Sequence, residues 1–255
     1  FLGLLRSDRH LIGVGDSERN QESLVFPLGT DVQGRGLFSR IGYGTRTSLS
    51  IGLVGVTLTL LIGVSLGAVS GYFGGVIDTV IQRSVEIVRA IPTIPIWLVL
   101  AGILPRDWGV LQIYLAITII ISLFAWTDLA RVVRGRFLSL REEDFVTAAM
   151  LSGARWQRIV FRHMLPSFYS HLIAATTLAI PSMIISETAL SFLGLGLRSP
   201  AISWGVLLQA TQNVHSIALT PWLMLPAVPV IVVILALNFM GDGLRDAADP
   251  YASTS

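Results

Sequence analysis

Residues Thr47–Ile77 read TSLSIGLVGVTLTLLIGVSLGAVSGYFGGVI and contain no charged side chain. This run lies between Arg46 and Asp78, and it exceeds the about 20 mostly apolar residues that a helix needs to cross a bilayer. In lipid a segment must satisfy its own backbone hydrogen bonds, and a helix does so. The stretch therefore predicts a membrane-spanning helix.

The composition of the whole chain also indicates a membrane protein. Of the 255 residues, 53% are hydrophobic and 13% are charged, whereas about a quarter of residues in soluble domains are charged. The sequence has no lysine and no cysteine, which excludes a P-loop, a disulfide framework and a thiolate metal site. The four histidines show no metal-ligand spacing, and the arginines flank apolar runs, so we expect no metal site and no nucleic-acid partner.

Four further apolar runs follow the first one along the chain. Each is long enough, or nearly long enough, to cross a bilayer, and charged stretches separate them. The sequence therefore predicts an all-α, polytopic transmembrane helical bundle with five visible spans and no separate soluble domain. The four further runs are Ala90–Pro105, Trp108–Thr127, His163–Ser186 and, approximately, Pro221–Met240.

Arginine asymmetry predicts the orientation, because cationic loops stay on the cytoplasmic side. The connection after the second run carries only Arg106 and the one after the fourth carries only Arg198, which indicates external loops. We expect residues 1–46 to be external, residues 47–245 to form the membrane domain with a cytoplasmic segment at 128–166, and residues 246–255 to form a cytoplasmic tail. The cytoplasmic segment holds Arg131, Arg134, Arg136, Arg141, Arg155, Arg158 and Arg162.

Glycines recur at every fourth position of the first run, at Gly63, Gly67, Gly71 and Gly75. This spacing lines them along one helix face, where two backbones can approach closely. Ser65 lies within a G-x-S-x-G match, which would suit a membrane hydrolase. That motif requires a strand before the serine and an acid and a histidine nearby, and the run offers none of them, so packing is the preferred interpretation.

Pro92 and Pro95 predict a kink or break in the second run, because proline removes a backbone donor and restricts the residue before it. The break is either a gate facing the transported solute or an ordinary kink that neighbouring helices repair. Trp97 follows directly. It is a candidate for lining a pathway, although tryptophan near a bilayer boundary also serves as an anchor.

Two carboxylates, Asp128 and Glu187, lie at the margins of predicted spans, where ionisable groups are functional candidates. Asp128 precedes Arg131 by three residues, so an ion pair within one helix is the preferred interpretation. Glu187 has no arginine nearby in the sequence and is the better candidate for a pathway or inter-subunit contact. A ladder on one helix face is expected for Arg83, Glu86 and Arg89.

The segment Arg141–Pro166 is charged, yet small residues alternate with apolar ones along it. Ala149 and Gly153 are four apart, which predicts a shared small-residue face suited to close docking on a partner protein. Arg155, Arg158 and Arg162 supply cations for an acidic partner or for lipid headgroups. An amphipathic helix lying in the membrane interface remains an equal alternative on these grounds alone.

The segment resembles the cytoplasmic loop shared by the membrane subunits of bacterial binding-protein-dependent ABC importers. That loop reads E-A-A, three residues, G, nine residues, I, any residue, L-P. With Thr147 in place of the glutamate and His163 in place of the isoleucine, the sequence is similar to the dipeptide and oligopeptide (peptide, nickel and opine) branch. The matching positions are Thr147, Ala148, Ala149, Gly153, Leu165 and Pro166.

Other stretches resemble motifs of the same branch, in the same order along the chain. They are Pro27–Asp31 with the following arginines, GYFGG at Gly71–Gly75, ETALSFLGLG at Glu187–Gly196, and the ending at Asn238–Pro250. The resemblance implies a permease of the type I importer fold, with six helices and both ends in the cytoplasm. One helix is therefore expected before Phe1.

The resemblance also implies how such a subunit works. It would form the pathway with a second, related permease, receive substrate from an external binding protein, and dock two ATPase subunits through Asp144–Pro166. ATP and Mg would be bound by those ATPases and no cofactor by this chain, which would not itself be an enzyme. The location would be the bacterial inner membrane, and the substrates peptides, nickel complexes, glutathione or opines. A passive channel, the remaining alternative, would not need this segment.

Overall fold

The computed structural model describes residues 13–15, 22–24, 26, 28–105 and 107–247. Over these residues the chain is almost entirely helical, apart from a short antiparallel hairpin of β1 (Gly13–Gly15) and β2 (Glu22–Leu24). The α-helices are α1 (Leu37–Phe73), α2 (Gly75–Ala90), α3 (Thr93–Gly102), α4 (Val110–Leu140), α5 (Asp144–Leu151), α6 (Trp156–Arg158), α7 (Tyr169–Phe192), α8 (Trp204–Leu208), α9 (Val214–Leu219) and α10 (Ala227–Ala247).

Shorter helical turns connect several of these helices. A π-helical turn at Ile159–Met164 and a 3-10 turn at Pro166–Phe168 join α6 to α7. Two further 3-10 turns, Gln209–Gln212 and Pro221–Met224, follow α8 and α9. The chain from Trp156 to Phe192 therefore behaves as one long, locally distorted helical segment.

Helices α1 and α4 pack against each other along the predicted glycine face. A Cβ built at Gly67 would lie 2.5 Å from the carbonyl oxygen of Ala130, and one at Gly71 would lie 2.5 Å from Cβ of Phe137. Gly63 faces Leu129 in the same way. The expected close approach is confirmed at these three positions. Gly75 is different, because it begins α2 with a φ of 56° and has open space around it.

Helix α7 packs against α1 and α10. The side chains of Ile184 and Met183 on α7 pack against Gly52 and Gly55 of α1. Leu178 of α7 packs in the same way against Gly241 of α10. Without a hydrophobic driving force between helices in lipid, such small-residue contacts supply the van der Waals packing that holds a bundle together. Helix α7 thus links the α1–α4 pair to the last helix of the chain.

The first span begins and ends earlier than predicted, at Leu37 and Phe73 rather than Thr47 and Ile77. Arg40 and Arg46 lie inside the helix, and Arg40 is buried beside Asp31, so its charge did not mark a boundary. The helix stops at Gly74, whose φ of 65° only glycine adopts without strain. At 37 residues and 1.5 Å per residue, α1 is about 55 Å long.

The second predicted span is not one straight helix. Helices α2 and α3 are bent by 83° at Ile91 and Pro92, so the break expected at the prolines is confirmed. Helix α3 has 10 residues and is about 15 Å long, roughly half of a bilayer core of about 30 Å. The predicted span Ala90–Pro105 is therefore only the second arm of a broken or re-entrant pair.

The other spans are longer than their apolar cores. Four segments in the described part of the chain can cross a membrane by length and composition, and the bent pair raises the number to five. The polytopic all-α fold is thereby confirmed, and the helix expected before Phe1 lies outside the described residues. The four segments are Leu37–Phe73, Val110–Leu140, Trp156–Phe192 and Pro221–Ala247.

Replacing Gly67 by alanine tests the α1–α4 contact. Its Cβ would meet backbone at 2.5 Å, so we expect the G67A variant to lose about 1–3 kcal/mol of stability through overpacking. Gly42 lies on the same helix with no atom within 4 Å of an added Cβ. G42A is the matched control and should be neutral or stabilising by up to about 1 kcal/mol. Thermal unfolding in detergent measures both, and equal melting temperatures would contradict the packing assignment.

Candidate functional site

Helix α5 is anchored to the bundle by one side of its short length. Val146 is fully buried, and Ala149 is half-buried against the same apolar cluster. Within that cluster Phe137 of α4 and Phe168 make an edge-to-face contact with centroids 5.7 Å apart. The helix therefore lies on the end of α4 and on the turns that lead into α7. Other members of the cluster are Val133, Ile159, Val160 and Met164.

The rest of α5 is exposed and mostly apolar. Leu151 is 85% exposed, and Phe145 and Met150 are exposed by 41% and 40%. Thr147 and Ala148 lie on this exposed side. Apolar patches of this kind on a folded protein mark interaction sites. We call these five residues the docking face of α5.

The end of α5 corrects one expectation. The helix stops at Leu151, so Gly153 lies beyond it with a φ of 74° and does not share a helix face with Ala149. The Gly153 N–H bonds to the Met150 carbonyl at 3.0 Å, and the Ala154 N–H to the Ala149 carbonyl at 3.1 Å. These are the two bonds of a Schellman cap. The glycine therefore ends the helix, and Ala149 faces the core.

Leu165 and Pro166 close the segment. Leu165 packs against the cluster that holds Val146, and Pro166 starts the 3-10 turn before α7. Arg155, Arg158 and Arg162 are exposed between the two ends. The predicted site residues thus fall into three groups. Thr147 and Ala148 lie on an exposed face, Gly153 belongs to a cap, and Ala149, Leu165 and Pro166 lie on or next to the anchoring cluster before α7.

The prolines at the α2–α3 break lie at the start of α3. Pro92 caps the helix and Pro95 falls in its first turn, where backbone N–H groups have no intrahelical partner. Proline costs nothing there, so these residues define the bend without weakening α3. Ser65, the serine of the hydrolase-like match, is exposed in the interior of α1 rather than at a strand-to-helix turn. The hydrolase alternative thus lacks its structural context.

A cavity of about 540 Å³ lies between α1, the α2–α3 pair, α4 and α7. Trp97 lines it, as the sequence suggested, together with Thr59, Arg89 and Asp128. Pro92, Pro95 and Glu187 are not among its lining residues. The structure therefore brings one of the four pathway candidates to the cavity.

Asp128 pairs with Arg89 across the α2–α4 contact and not with Arg131. The interpretation of a pair within one helix is wrong, because the side chain of Asp128 projects toward α2. Arg83 still pairs with Glu86 at 2.6 Å, so the expected ladder is reduced to that pair. A second tie between α2 and α4 joins Arg134 Nε and Nη2 to the two carboxylate oxygens of Asp78, each at 2.5 Å.

Glu187 is completely buried and accepts hydrogen bonds from serines of three segments. Ser191 and Ser203 donate to Oε1 at 2.7 and 2.8 Å, and Ser48 donates to Oε2 at 3.5 Å. Each serine oxygen in turn accepts a backbone N–H, from Leu197, Val206 and Trp204 respectively. The serines thus connect the Glu187 carboxylate, as donors, to backbone N–H groups, as acceptors.

The segment after α7 closes over the start of α1. Trp204 is fully buried, and its Nε1 donates to the Ile41 carbonyl at 3.3 Å. Trp222 Nε1 donates to the Thr30 carbonyl at 2.9 Å. We call this end of the bundle, with residues 28–48 and 187–226, the α8 end, and the opposite end the α5 end.

Asp31 organises the turn before α1. Its carboxylate accepts the backbone N–H groups of Gln33 and Arg35, each at 2.9 Å, and pairs with Arg40 at 3.3 Å. Burial alone would raise the pKa of Asp31, but the hydrogen bonds from Arg35 and Gln33 outweigh it and hold the pKa below its ordinary value. The resulting stabilisation is present at neutral pH and is lost as pH falls through the lowered pKa.

Residues 63–253 match the family of binding-protein-dependent transport system inner membrane components. This match covers most of the α-helical bundle and includes the docking face, the cap and most of the residues that line the cavity.

The chain belongs to this family.

Named permeases are similar over most of the chain. The oligopeptide transport system permease protein OppC of Bacillus subtilis is 37% identical over 88% of this chain and 71% of its own length. The corresponding protein of Haemophilus influenzae is 38% identical over 88% and 70%. The dipeptide transport system permease protein DppC of B. subtilis is 36% identical over 88% and 68%. The chain is thus a permease subunit of this ABC importer family.

Solved structures show the same fold. A chain from the inward-facing MetNI methionine ABC transporter superposes with a TM-score of 0.63 at 19% identity, covering 84% of this permease and 98% of that chain. A chain of an amino acid ABC transporter gives a TM-score of 0.52 at 15% identity, covering 82% and 92%. The type I permease fold is therefore confirmed, and the protein is a multi-pass membrane protein.

Three features of the permease were not apparent from its sequence. The serines around Glu187 are up to 139 positions away along the chain, and Asp78 and Arg134 are 56 positions apart. In the sequence, the available signal for each was a single carboxylate at the end of a charge-free run: Glu187 for the first and Asp78 for the second. The cavity has no local signal, because five helices contribute to it.

Glu187 substitutions test whether the α8 end depends on a buried acceptor. Glu187→Met would leave the three serine hydroxyls without their acceptor, at about 1–3 kcal/mol for each unsatisfied group. Glu187→Gln retains an oxygen that can accept from Ser191 and Ser203, so we expect an intermediate loss. Melting temperature and protease cleavage within residues 193–212 measure the effect. A methionine variant as stable and as resistant as the parent would contradict this role.

Proposed function

We propose that this permease forms a translocation pathway with a second, related permease in an ATP-driven importer of peptides or related small solutes. The observation that carries the proposal is helix α5, which is fixed to the bundle by Val146 and presents an unpartnered apolar face on its other side. In this proposal Asp144–Pro166 docks on an ATPase, with Thr147, Ala148, Ala149, Gly153, Leu165 and Pro166 as the coupling residues.

The contacts of α5 support coupling to the pathway. Its anchor, Val146, packs with Phe137 of α4 and with Phe168, which directly precedes α7. Both α4 and α7 also line the cavity. A force applied to the docking face is therefore passed through close-packed side chains to two walls of the cavity. This arrangement favours an importer over a passive channel, which needs no such face.

The remaining partners follow from the family. An external binding protein would deliver the solute to the α8 end, and two ATPase subunits would bind ATP and Mg on separate chains. The α5 end and the C-terminus would be cytoplasmic, as the arginines of 128–166 indicate, and the membrane would be the bacterial inner membrane. The large exposed apolar side chains of α10 suit lipid or the second permease.

Within the pathway we assign different parts to the four candidate residues. Trp97 lines the cavity, and Pro92 and Pro95 hold α3 at its 83° angle to α2, which places Trp97 there. Glu187 does not line the cavity. Its buried carboxylate holds the α8 end together through hydrogen bonds from serines.

Charge introduced on the docking face tests the coupling role. Leu151 is 85% exposed and makes no core contact, so Leu151→Asp should leave the permease folded. We expect the variant to lose ATPase subunits on co-purification and to lose most transport in proteoliposomes, because an aspartate in an apolar interface is desolvated without a partner.

Val214→Asp is the matched control, since Val214 is 79% exposed on α9 at the α8 end. The control should retain the ATPases at parental stoichiometry. If Leu151→Asp retained both the ATPases and transport, α5 would not be the docking element.

A further inference from the structure

We infer that residues 155–162, which we call the basic stretch, bind the phosphate headgroups of anionic lipids at the inner face of the membrane. This lipid contact rests on the proposed function for the orientation of the bundle, and it divides the segment Asp144–Pro166 between two partners. Helix α5 docks on protein, and the basic stretch that follows its cap lies against the membrane. The cations concerned are Arg155, Arg158 and Arg162.

The basic stretch has one buried side and one exposed side. Ile159 and Val160 are buried in the apolar cluster that anchors α5. The exposed side combines Arg158 and Arg162 with Phe161, which is 59% exposed. An exposed ring beside two arginines suits the membrane interface, where the ring reaches acyl chains while the guanidinium groups stay among the headgroups.

Trp156 places the basic stretch at the membrane boundary. Its ring meets the ring of Phe73 at a centroid distance of 5.5 Å, and Phe73 is the last residue of α1, which is long and apolar enough to span a membrane. Tyr72 contacts Phe73 edge-on at 5.2 Å. Three aromatic rings therefore gather where α1 ends, and tryptophan and tyrosine are enriched at membrane–water interfaces.

The length of α7 indicates the same depth. This helix has 24 residues and is about 36 Å long, which already exceeds a hydrocarbon core of about 30 Å. Residues 156–168 continue the same helical segment before α7. They are not needed to cross the core, so they lie beyond it, at the level of the headgroups.

The arginines of the basic stretch lack a counter-charge within the permease. From position 155 to position 164 the sequence contains three arginines and no carboxylate. Across the described residues none of these arginines forms an ion pair, whereas Arg83, Arg89 and Arg134 each pair with a carboxylate. A guanidinium group binds phosphate through paired hydrogen bonds, and the cytoplasmic leaflet is negatively charged. A lipid phosphate therefore supplies the missing charge.

The chemistry of the basic stretch differs from that of the docking face of α5. Gly153, with its φ of 74°, turns the chain between them. The docking face contains no charged side chain, whereas the basic stretch carries three. Charged residues are depleted from the core of protein interfaces. The uncharged face thus suits a protein partner, and the three cations suit a layer of anionic headgroups.

The first test measures the depth of Phe161 in the complete complex of both permeases and the ATPases. Because the permease has no cysteine, a nitroxide can be attached at Phe161→Cys, with the unsubstituted complex as the labelling background. In nanodiscs of phosphatidylcholine and phosphatidylglycerol, we expect this nitroxide to collide more with oxygen, which concentrates in lipid, than with a water-soluble nickel chelate. A nitroxide at Leu151→Cys is the matched control on the docking face, and it should be shielded from both.

Two results at position 161 would overturn the lipid contact. Preferential collision with the nickel chelate would place the side chain in water, and shielding from both reagents would place it in a protein interface. Neither result affects the docking role of α5, which fails only if Leu151→Asp retains the ATPases.

The second test measures the lipid preference of the arginines. Native mass spectrometry of the complex gives the affinities of phosphatidylglycerol and phosphatidylcholine, and we expect the parent to prefer phosphatidylglycerol. The double variant Arg158→Gln/Arg162→Gln should weaken that preference by about fivefold for each arginine. Arg83→Gln/Glu86→Gln is the matched control, since it removes an exposed ion pair without changing the net charge, and it should behave like the parent. No preference in an assembled, ATP-hydrolysing parent complex would contradict the lipid contact, as would a parental preference in the double variant.

Discussion

The close contact between α1 and α4 is the constraint on which the rest of the permease depends. In lipid two helices gain nothing from burying apolar surface against each other, so their association relies on van der Waals contact and on buried polar bonds. The glycines at 63, 67 and 71 bring the α1 backbone against Leu129, Ala130 and Phe137. Further toward the α8 end, Ser122 Oγ donates to the Gly55 carbonyl at 3.1 Å. With these two helices fixed, α2 is held by Asp78 and Arg134, and α7 packs on the remaining face of α1.

The same contact explains why a short surface helix can act on the cavity. Phe137 lies at the end of the glycine face and also within the cluster that anchors Val146 of α5. The α1–α4 contact and the α5 anchor therefore share a side chain. Because packed interiors transmit strain rather than absorb it, a displacement of α5 cannot be taken up locally. In the proposed coupling it would move α4 and α7, whose middle parts border the cavity.

The sequence predicted the features that depend on local pattern and left out those that depend on distance along the chain. The apolar runs, the glycine face and the break at Pro92 arise from hydropathy, periodicity and proline chemistry, and the structure contains all three. Helix ends were less accurate, since Arg46 looked like a boundary although α1 begins at Leu37 and includes it. The partner of Asp128 was missed for a different reason. Spacing along one helix favoured Arg131, but the orientation of α2 brings Arg89 to the same place.

The α8 end and the α5 end of the bundle differ in how deeply their polar contacts are buried. At the α8 end the contacts are buried: Glu187 joins three segments through serines, each of which also accepts a backbone N–H group. Opening that end would leave several polar groups without partners, each at a cost of about 1–3 kcal/mol. Toward the α5 end, the Arg89–Asp128 pair borders the cavity, and its side chains are exposed on this subunit. Local opening follows the least stable contacts. In the proposed coupling, a movement that begins at α5 would reach the cavity walls, while Glu187 keeps the α8 end together.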